Sequence, residues 1–243
     1  MNLKNKVALV TGAGRRMGRA IALELATHGA TLAVHYRTSQ SEADALVTEI
    51  KTNGDNAQTF RANLEHVAEI EQMVSEILDA FGRIDILVNS ASVFAPTPLE
   101  QITERDWDAN LDTNLKAVFF LSKFASAAMR KQGAGKIINL GDWAGIRPYK
   151  DYLPYSVSKS ALIGLTKALA KELAPEVQVN CIALGMVIPP ETYTKEEVDR
   201  LVSRTLTKKI GTPEDVARAV VFFCQTDFAT GAVLKLEGGR LLV

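Results

Sequence analysis

The stretch Val7-Ala8-Leu9-Val10-Thr11-Gly12-Ala13-Gly14-Arg15-Arg16-Met17-Gly18 decides the fold. Four β-prone apolar residues run into a glycine-rich turn, and helical periodicity follows at 18–27. Glycines there let the backbone turn tightly and approach a pyrophosphate, and the helix N-terminus offers free N–H groups to it. Working outward, apolar runs recur at 31–35, 84–88, 136–140, 178–183 and 233–236. Helical segments lie between or beside them at 41–53, 67–81, 106–131, 155–173 and 213–224. Strand, helix, strand at this spacing predicts an α/β chain with a doubly wound parallel sheet covered on both faces. No linker or repeat interrupts the alternation, so 1–243 reads as a single domain.

Composition narrows the classes further. The 243 residues are 47% hydrophobic, 23% charged and 7% aromatic, enough for one sizeable core. Lys plus Arg equals Asp plus Glu at 28 each, so no global field draws in nucleic acid or an anionic membrane. No apolar run approaches the roughly 20 residues of a membrane span, and 1–6 carries no secretory pattern. Cys181 and Cys224 sit in apolar segments without nearby partners and read as buried reduced thiols. The expectation is a cytoplasmic, soluble domain. His28 and His66 have no second ligand at metal-binding spacing, so no metal is implied.

The second strand ends in His35-Tyr36-Arg37-Thr38-Ser39, where dinucleotide folds meet the adenosine ribose. A carboxylate there selects a free 2′-hydroxyl. Arg37, Thr38, Ser39 and nearby Arg15 instead favour a 2′-phosphate and therefore NADP(H). The alternative is a solvated loop. Tyr155 and Lys159 stand at i, i+4 spacing, one above the other on a helix. A cation beside a phenol favours its ionised form, which predicts a tyrosine pKa below its usual value near 10.

Together these pieces resemble the short-chain dehydrogenase/reductase family over essentially the whole chain. The matching residues are 11–18, Asn89-Ser90-Ala91-Ser92, Asn114, Tyr155, Lys159, Asn180, Leu184-Gly185 and Leu236-Glu237-Gly238-Gly239. The resemblance implies a Rossmann-type sheet and a homotetramer joined through the helices 106–131 and 155–173. It implies Tyr155 as proton donor, Lys159 on the nicotinamide ribose, and Asn114 as holder of a relay water. It places the cofactor on Gly12, Arg15, Arg16, Met17, Gly18, Tyr36, Arg37, Thr38, Ser39, Asn63, Leu64, Ser90, Ala91, Ser92, Tyr155, Lys159, Gly185 and Val187. The apolar face Leu162, Leu165, Leu169 suits either a subunit seam or the core.

The departures are informative. Arg16 stands where the family has a third glycine, Ser92 ends the Asn-Ser-Ala motif, and Asp142 replaces the serine 13 residues before the tyrosine. With His35-Tyr36-Arg37 and the run Ser92-Val93-Phe94, these look like the pteridine reductase branch, where the corresponding residues line the pterin pocket. Arg16, Ser92, Phe94, Asp142 and Tyr155 are carried over as substrate-binding. Asp142, Tyr155, Lys159 and Asn114 are carried over as catalytic. A serine suits a ketone because it donates to the oxygen that gathers charge. An aspartate there suits a ring C=N flanked by amine and amide edges, with Phe94 stacking on the ring face.

Each residue has a plainer alternative: Asp142 as a cap for the following turn, Phe94 as a core or rim aromatic, Arg16 as an exposed first-turn residue. Asn63 replaces the usual adenine-facing Asp, and Leu184-Gly185 the usual Pro-Gly. A long segment after the sixth strand, about 186–211, reads as a lid with a greasy start at Met186, Val187 and Ile188. Two rivals to a pteridine reductase remain: a carbonyl reductase of a 3-oxoacyl thioester or quinone, and an NADPH-binding regulator without turnover. Intact Tyr155, Lys159 and Asn114 weigh against the regulator.

Overall fold

The computed structural model describes residues 1–190 and 193–243. Seven strands form one parallel sheet in the order β3-β2-β1-β4-β5-β6-β7. They are β1 (Val7–Val10), β2 (Thr31–Tyr36), β3 (Ala57–Arg61), β4 (Ile86–Asn89), β5 (Gly135–Asp142), β6 (Val177–Leu184) and β7 (Val233–Leu236). The helices are α1 (Arg16–Thr27), α2 (Gln40–Thr52), α3 (Val67–Phe81), α4 (Glu104–Leu111), α5 (Ala117–Lys131), α6 (Leu153–Leu173), α7 (Lys195–Ser203) and α8 (Pro213–Gln225).

Alternation along β1 explains why both faces are covered. Ala8 and Val10 point into a core shared with α1, α2 and α8, while Val7 and Leu9 point into one shared with α3, α5 and α6. Chain order reverses between β1 and β4, and the crevice at their carboxyl ends is where open α/β sheets bind ligands.

Two expectations need correction, and one open alternative is resolved. β3 is a seventh strand that hydrophobic runs alone do not reveal. It is the sheet edge, with Gln58 and Arg61 exposed, so it lacks the continuous apolar run of a central strand. The helix expected over 106–131 is two helices joined by a π-turn at Asp112–Lys116. Leu162 and Leu169 are buried in the chain's own core and Leu165 packs against it, so that face belongs to the fold rather than to a seam. Between β6 and α8, the charged piece expected at 194–204 forms α7, opened by a Thr194/Glu197 capping box. Cys181 and Cys224 are buried and unpaired. Among the described residues no helix is long and apolar enough to cross a membrane.

Candidate active site

The carboxyl ends of the strands surround a cleft of about 1000 Å³. Its first wall is the turn after β1. Gly12 has a φ of +64°, a region that favours glycine, and a Cβ there would lie 3.2 Å from the Ala91 Cα. At Gly18 a Cβ would sit 2.4 Å from the Gly12 oxygen, so α1 starts hard against its own turn. Thr11 Oγ1 accepts from the Ser90 and Ala91 N–H groups at 2.9 and 3.0 Å, which joins this turn to the one after β4. Arg16 adopts a φ of +50° as the first residue of α1, a region that favours glycine. Its guanidinium reaches across the cleft and donates to the Ile188 oxygen at 3.2 Å.

Arg15, Met17, Tyr36, Arg37, Thr38, Ser39, Asn63 and Leu64 line the same end. Arg15 pairs with Glu42, and Arg37 with Glu65 at 3.0 Å. The Asn63 N–H donates to Glu69 Oε2 at 2.7 Å, and its Oδ1 accepts from the Glu65 N–H at 3.2 Å. His35 organises this end from beneath. Its Nδ1 accepts from the Gly12 N–H at 3.0 Å, while Nε2 lies 3.1 Å from the Ala62 oxygen. Burial outweighs that backbone contact and lowers the imidazole pKa to about 4, so the ring is neutral and its Nε2–H donates.

The other end holds Asp142, Tyr155 and Lys159. Asp142 closes β5, and a short turn at Trp143–Gly145 packs against α6. A Cβ on Gly145 would lie 2.7 Å from the Lys159 oxygen, so glycine permits the turn to approach the helix backbone. Tyr155 and Lys159 rise one turn apart from α6. The Tyr155 hydroxyl donates to Asp142 Oδ2 at 2.9 Å, and Asp142 Oδ1 caps the turn by accepting from the Ala144 N–H at 2.7 Å. One oxygen of Asp142 thus caps the turn and the other faces the phenol. Lys159 Nζ donates to the Leu140 oxygen at 2.9 Å and lies 5.6 Å from the Tyr155 ring centroid.

Electrostatics corrects the expectation of a lowered tyrosine pKa. Burial, then the Asp142 carboxylate, pushes the Tyr155 phenol well above its usual value. Burial likewise raises the Asp142 carboxyl and lowers the Lys159 ammonium. The ammonium gives one of its donors to a carbonyl, whereas the carboxyl is in direct contact with the phenol. The Tyr155 phenol therefore keeps its proton and donates it in a hydrogen bond to Asp142 Oδ2.

Phe94 is a rim aromatic, 44% exposed. It stacks on Tyr152 at 4.5 Å and meets Tyr155 edge-on at 4.8 Å. Ser90, Ala91, Ser92, Gly185 and Val187 complete the expected wall. Asn114 is the exception. It lies buried behind the wall, with Oδ1 accepting from the Val93 N–H at 2.8 Å and from Ser92 Oγ at 3.1 Å. Its Nδ2 donates to the Val93 oxygen at 3.0 Å and to Ser158 Oγ at 3.1 Å. This side chain clamps the 92–93 loop. It rides on the π-turn, a feature that clusters at functional sites.

Sequence reading missed Trp143, Tyr149, Tyr152, Tyr193 and Arg240, all on the cleft wall. A signal existed: all five tyrosines of the chain line this one cleft, three of them between 149 and 155. Among the described residues, no group of three or more His, Cys, Asp and Glu side chains is placed to hold a metal ion.

The family described as short chain dehydrogenase matches residues 6–199. A 3-oxoacyl-acyl-carrier-protein reductase FabG of Staphylococcus epidermidis is 36% identical over 243 residues, covering 98% of this chain and all of that one. A 3-oxoacyl-acyl-carrier-protein reductase of Synechocystis is 38% identical over 245 residues, covering 99% of this chain and 98% of that one. The crystal structure of FolM alternative dihydrofolate reductase 1 from Brucella canis, complexed with NADP, superposes with a TM-score of 0.94 at 31% identity. It covers all of this chain, which in turn spans 96% of it.

Proposed function

Because this chain belongs to the short chain dehydrogenase family, we propose that it is an NADPH-dependent reductase acting on a ring C=N of a pteridine. The observation that carries this reading is the 2.9 Å hydrogen bond from Tyr155 to a buried Asp142, in the position where a ketone reductase of this family has serine. NADP(H) fits the first wall. Gly12 and Gly18 leave main chain where a side chain would intrude, and Arg15 and Arg37 supply cations for a 2′-phosphate. We assign to the cofactor those residues together with Arg16, Met17, Tyr36, Thr38, Ser39, Asn63, Leu64, Ser90, Ala91, Ser92, Gly185 and Val187. When bound, the cofactor supplies the hydride.

The chain's residues do the rest. Lys159 spends one of its three N–H donors on Leu140, leaving two for ribose hydroxyls. Phe94 and Tyr155 present ring faces and edges to a flat heterocycle. Negative charge develops on the ring nitrogen beside the reduced carbon. The Tyr155–Asp142 pair releases one proton to that nitrogen and is recharged from solvent. An ionised carboxylate at this position would repel the alkoxide of a ketone. Asn114 and Ser92 fix the 92–94 loop, Arg16 and Ser92 flank the ring, and 186–211 serves as the lid. We place the protein in the cytoplasm as a homotetramer.

A second reading, reduction of a 3-oxoacyl thioester, is favoured by the names of the relatives at 36–38% identity. NADPH oxidation followed by absorbance with dihydrobiopterin, dihydrofolate and an acetoacetyl thioester separates the two. On the pteridine reading, Asp142→Ser lowers kcat for the pterin by about 10²–10⁴-fold, the span of a lost general acid. On the other reading the same change improves thioester reduction. Turnover of the thioester alone, improved by Asp142→Ser, overturns the proposal.

A further inference from the structure

The aromatic wall of the cleft ends in a cation. Trp143 meets Tyr149 edge-on at 5.2 Å, and the Arg240 guanidinium carbon lies 5.4 Å from the Trp143 ring centroid. Beyond it opens a side cavity of about 350 Å³, sharing Arg240 and Thr205 with the main cleft. The remaining walls are Arg147, Ser203, Arg204, Lys208 and Val243. Three separate segments therefore deliver four cations to one outlet: the turn after β5, the end of α7 and its exit, and the 3-10 turn at Arg240–Leu242.

No Asp or Glu side chain lines this side cavity, and among the described residues none of the four cations pairs with one. Arg147 donates to the Val243 main-chain oxygen at 2.8 Å, and Lys208 to the Ser203 oxygen at 2.6 Å. Glu237, on the adjoining wall of the main cleft, accepts from the Leu241 N–H at 2.9 Å. The Arg204 and Arg240 guanidiniums have no hydrogen-bond partner among the described residues. Burial, and then the like charges of Arg147 and Arg204, holds Arg240 below the usual arginine range. Like charges gathered without an Asp or Glu side chain among them repel one another, and a bound anion relieves that cost.

We infer that this side cavity is a subsite for the anionic tail of the substrate, a carboxylate-bearing chain that leaves the flat ring past Trp143 and ends between Arg204 and Arg240. The inference rests on the ring-reducing reading above and narrows it, since a pterin with a neutral side chain leaves the cations unused. Dihydrobiopterin has a neutral hydroxylated tail, whereas dihydrofolate ends in a glutamate. The preference in kcat/KM for dihydrofolate over dihydrobiopterin is expected to fall about tenfold in Arg204→Gln or Arg240→Gln, and further in the double variant. Added salt should erode that preference in the unaltered protein and much less in the double variant.

Binding of p-aminobenzoylglutamate, the tail without the ring, gives a readout independent of turnover. It should quench or enhance tryptophan fluorescence through Trp143 and lose its saturation in the double variant. Equal losses for both pterins, or no binding of the tail probe, overturn the subsite. Tail binding without turnover of either pterin overturns the ring reading and leaves an anion site. Thioester reduction that depends on Arg204 only when the thioester is carried by an acidic protein assigns the cations to that protein and overturns the small-molecule tail.

Discussion

His35 carries charge information that its neighbours in sequence do not. Both ring nitrogens are engaged, and burial sets the imidazole near pKa 4 against 6.5 in an open chain. Between those values the unfolded chain binds a proton that the folded chain refuses. Stability is therefore full above pH 6.5 and declines as pH falls towards 4, by up to ~3 kcal/mol from this group. His35→Asn keeps an acceptor for the Gly12 N–H but cannot titrate. It should cost about 1–3 kcal/mol near neutrality through the lost Ala62 contact, with the gap to the parent closing as pH falls. Urea unfolding across that range reads the difference, and parallel curves for the two proteins would refute it. The sequence made His35-Tyr36-Arg37 legible as a cofactor-facing stretch, but not the neutral imidazole. That follows from Gly12 and Ala62 converging on one ring. The same limit applied to Tyr155. Its helical spacing from Lys159 pointed to a lowered pKa, yet burial and Asp142, 13 residues away, decide the sign.

At the scale of elements, the candidate site depends on how closely the turn at Trp143–Gly145 approaches α6. A Cβ at Gly145 would stand 2.7 and 2.8 Å from the carbonyl oxygen and carbon of Lys159. Backbone cannot yield as a side-chain tip does, so Gly145→Ala must push the turn away and carry Asp142 with it. We expect a destabilisation of about 1–3 kcal/mol and a loss of activity near 10²-fold, the usual effect of a misplacement of about 1 Å. The loss should fall on kcat while the dissociation constant of NADPH hardly moves, because Gly12 and Gly18 sit at the other wall. Titration of NADPH fluorescence beside steady-state kinetics separates the two, and an equal loss in both would show that the turn does not act through Asp142. Hydrophobic periodicity found the glycine-rich turn, α3 and the central strands because each buries one regular stripe or run. It missed β3, whose edge position leaves Gln58 and Arg61 exposed. It also passed over the π-turn at Asp112–Lys116, because no proline or glycine marks the extra residue.

For the whole molecule, the remaining question is what covers α6. Leu162 and Leu169 turn inward, leaving Leu153 and Val157 about 40% exposed on the opposite side. Gly164 follows on that outer face at helical spacing. A Cβ there would meet nothing within 4 Å beyond its own stretch of helix. Glycine inside a helix costs about 0.5–1 kcal/mol relative to alanine, and nothing within the chain requires it. A second α6 crossing at that point would require it, since two helix backbones approach closely only over small residues. That supports the proposed homotetramer with Gly164 near a two-fold axis. Light scattering coupled to gel filtration should give a tetramer for the parent protein and a smaller species for Gly164→Glu, with the helical circular dichroism of the parent retained. Gly164→Ala should preserve the assembly or weaken it slightly, while gaining helix propensity. A parent protein that runs as a monomer would overturn the seam, as would a Gly164→Glu variant that stays tetrameric. The outer face would then be plain solvent-exposed helix.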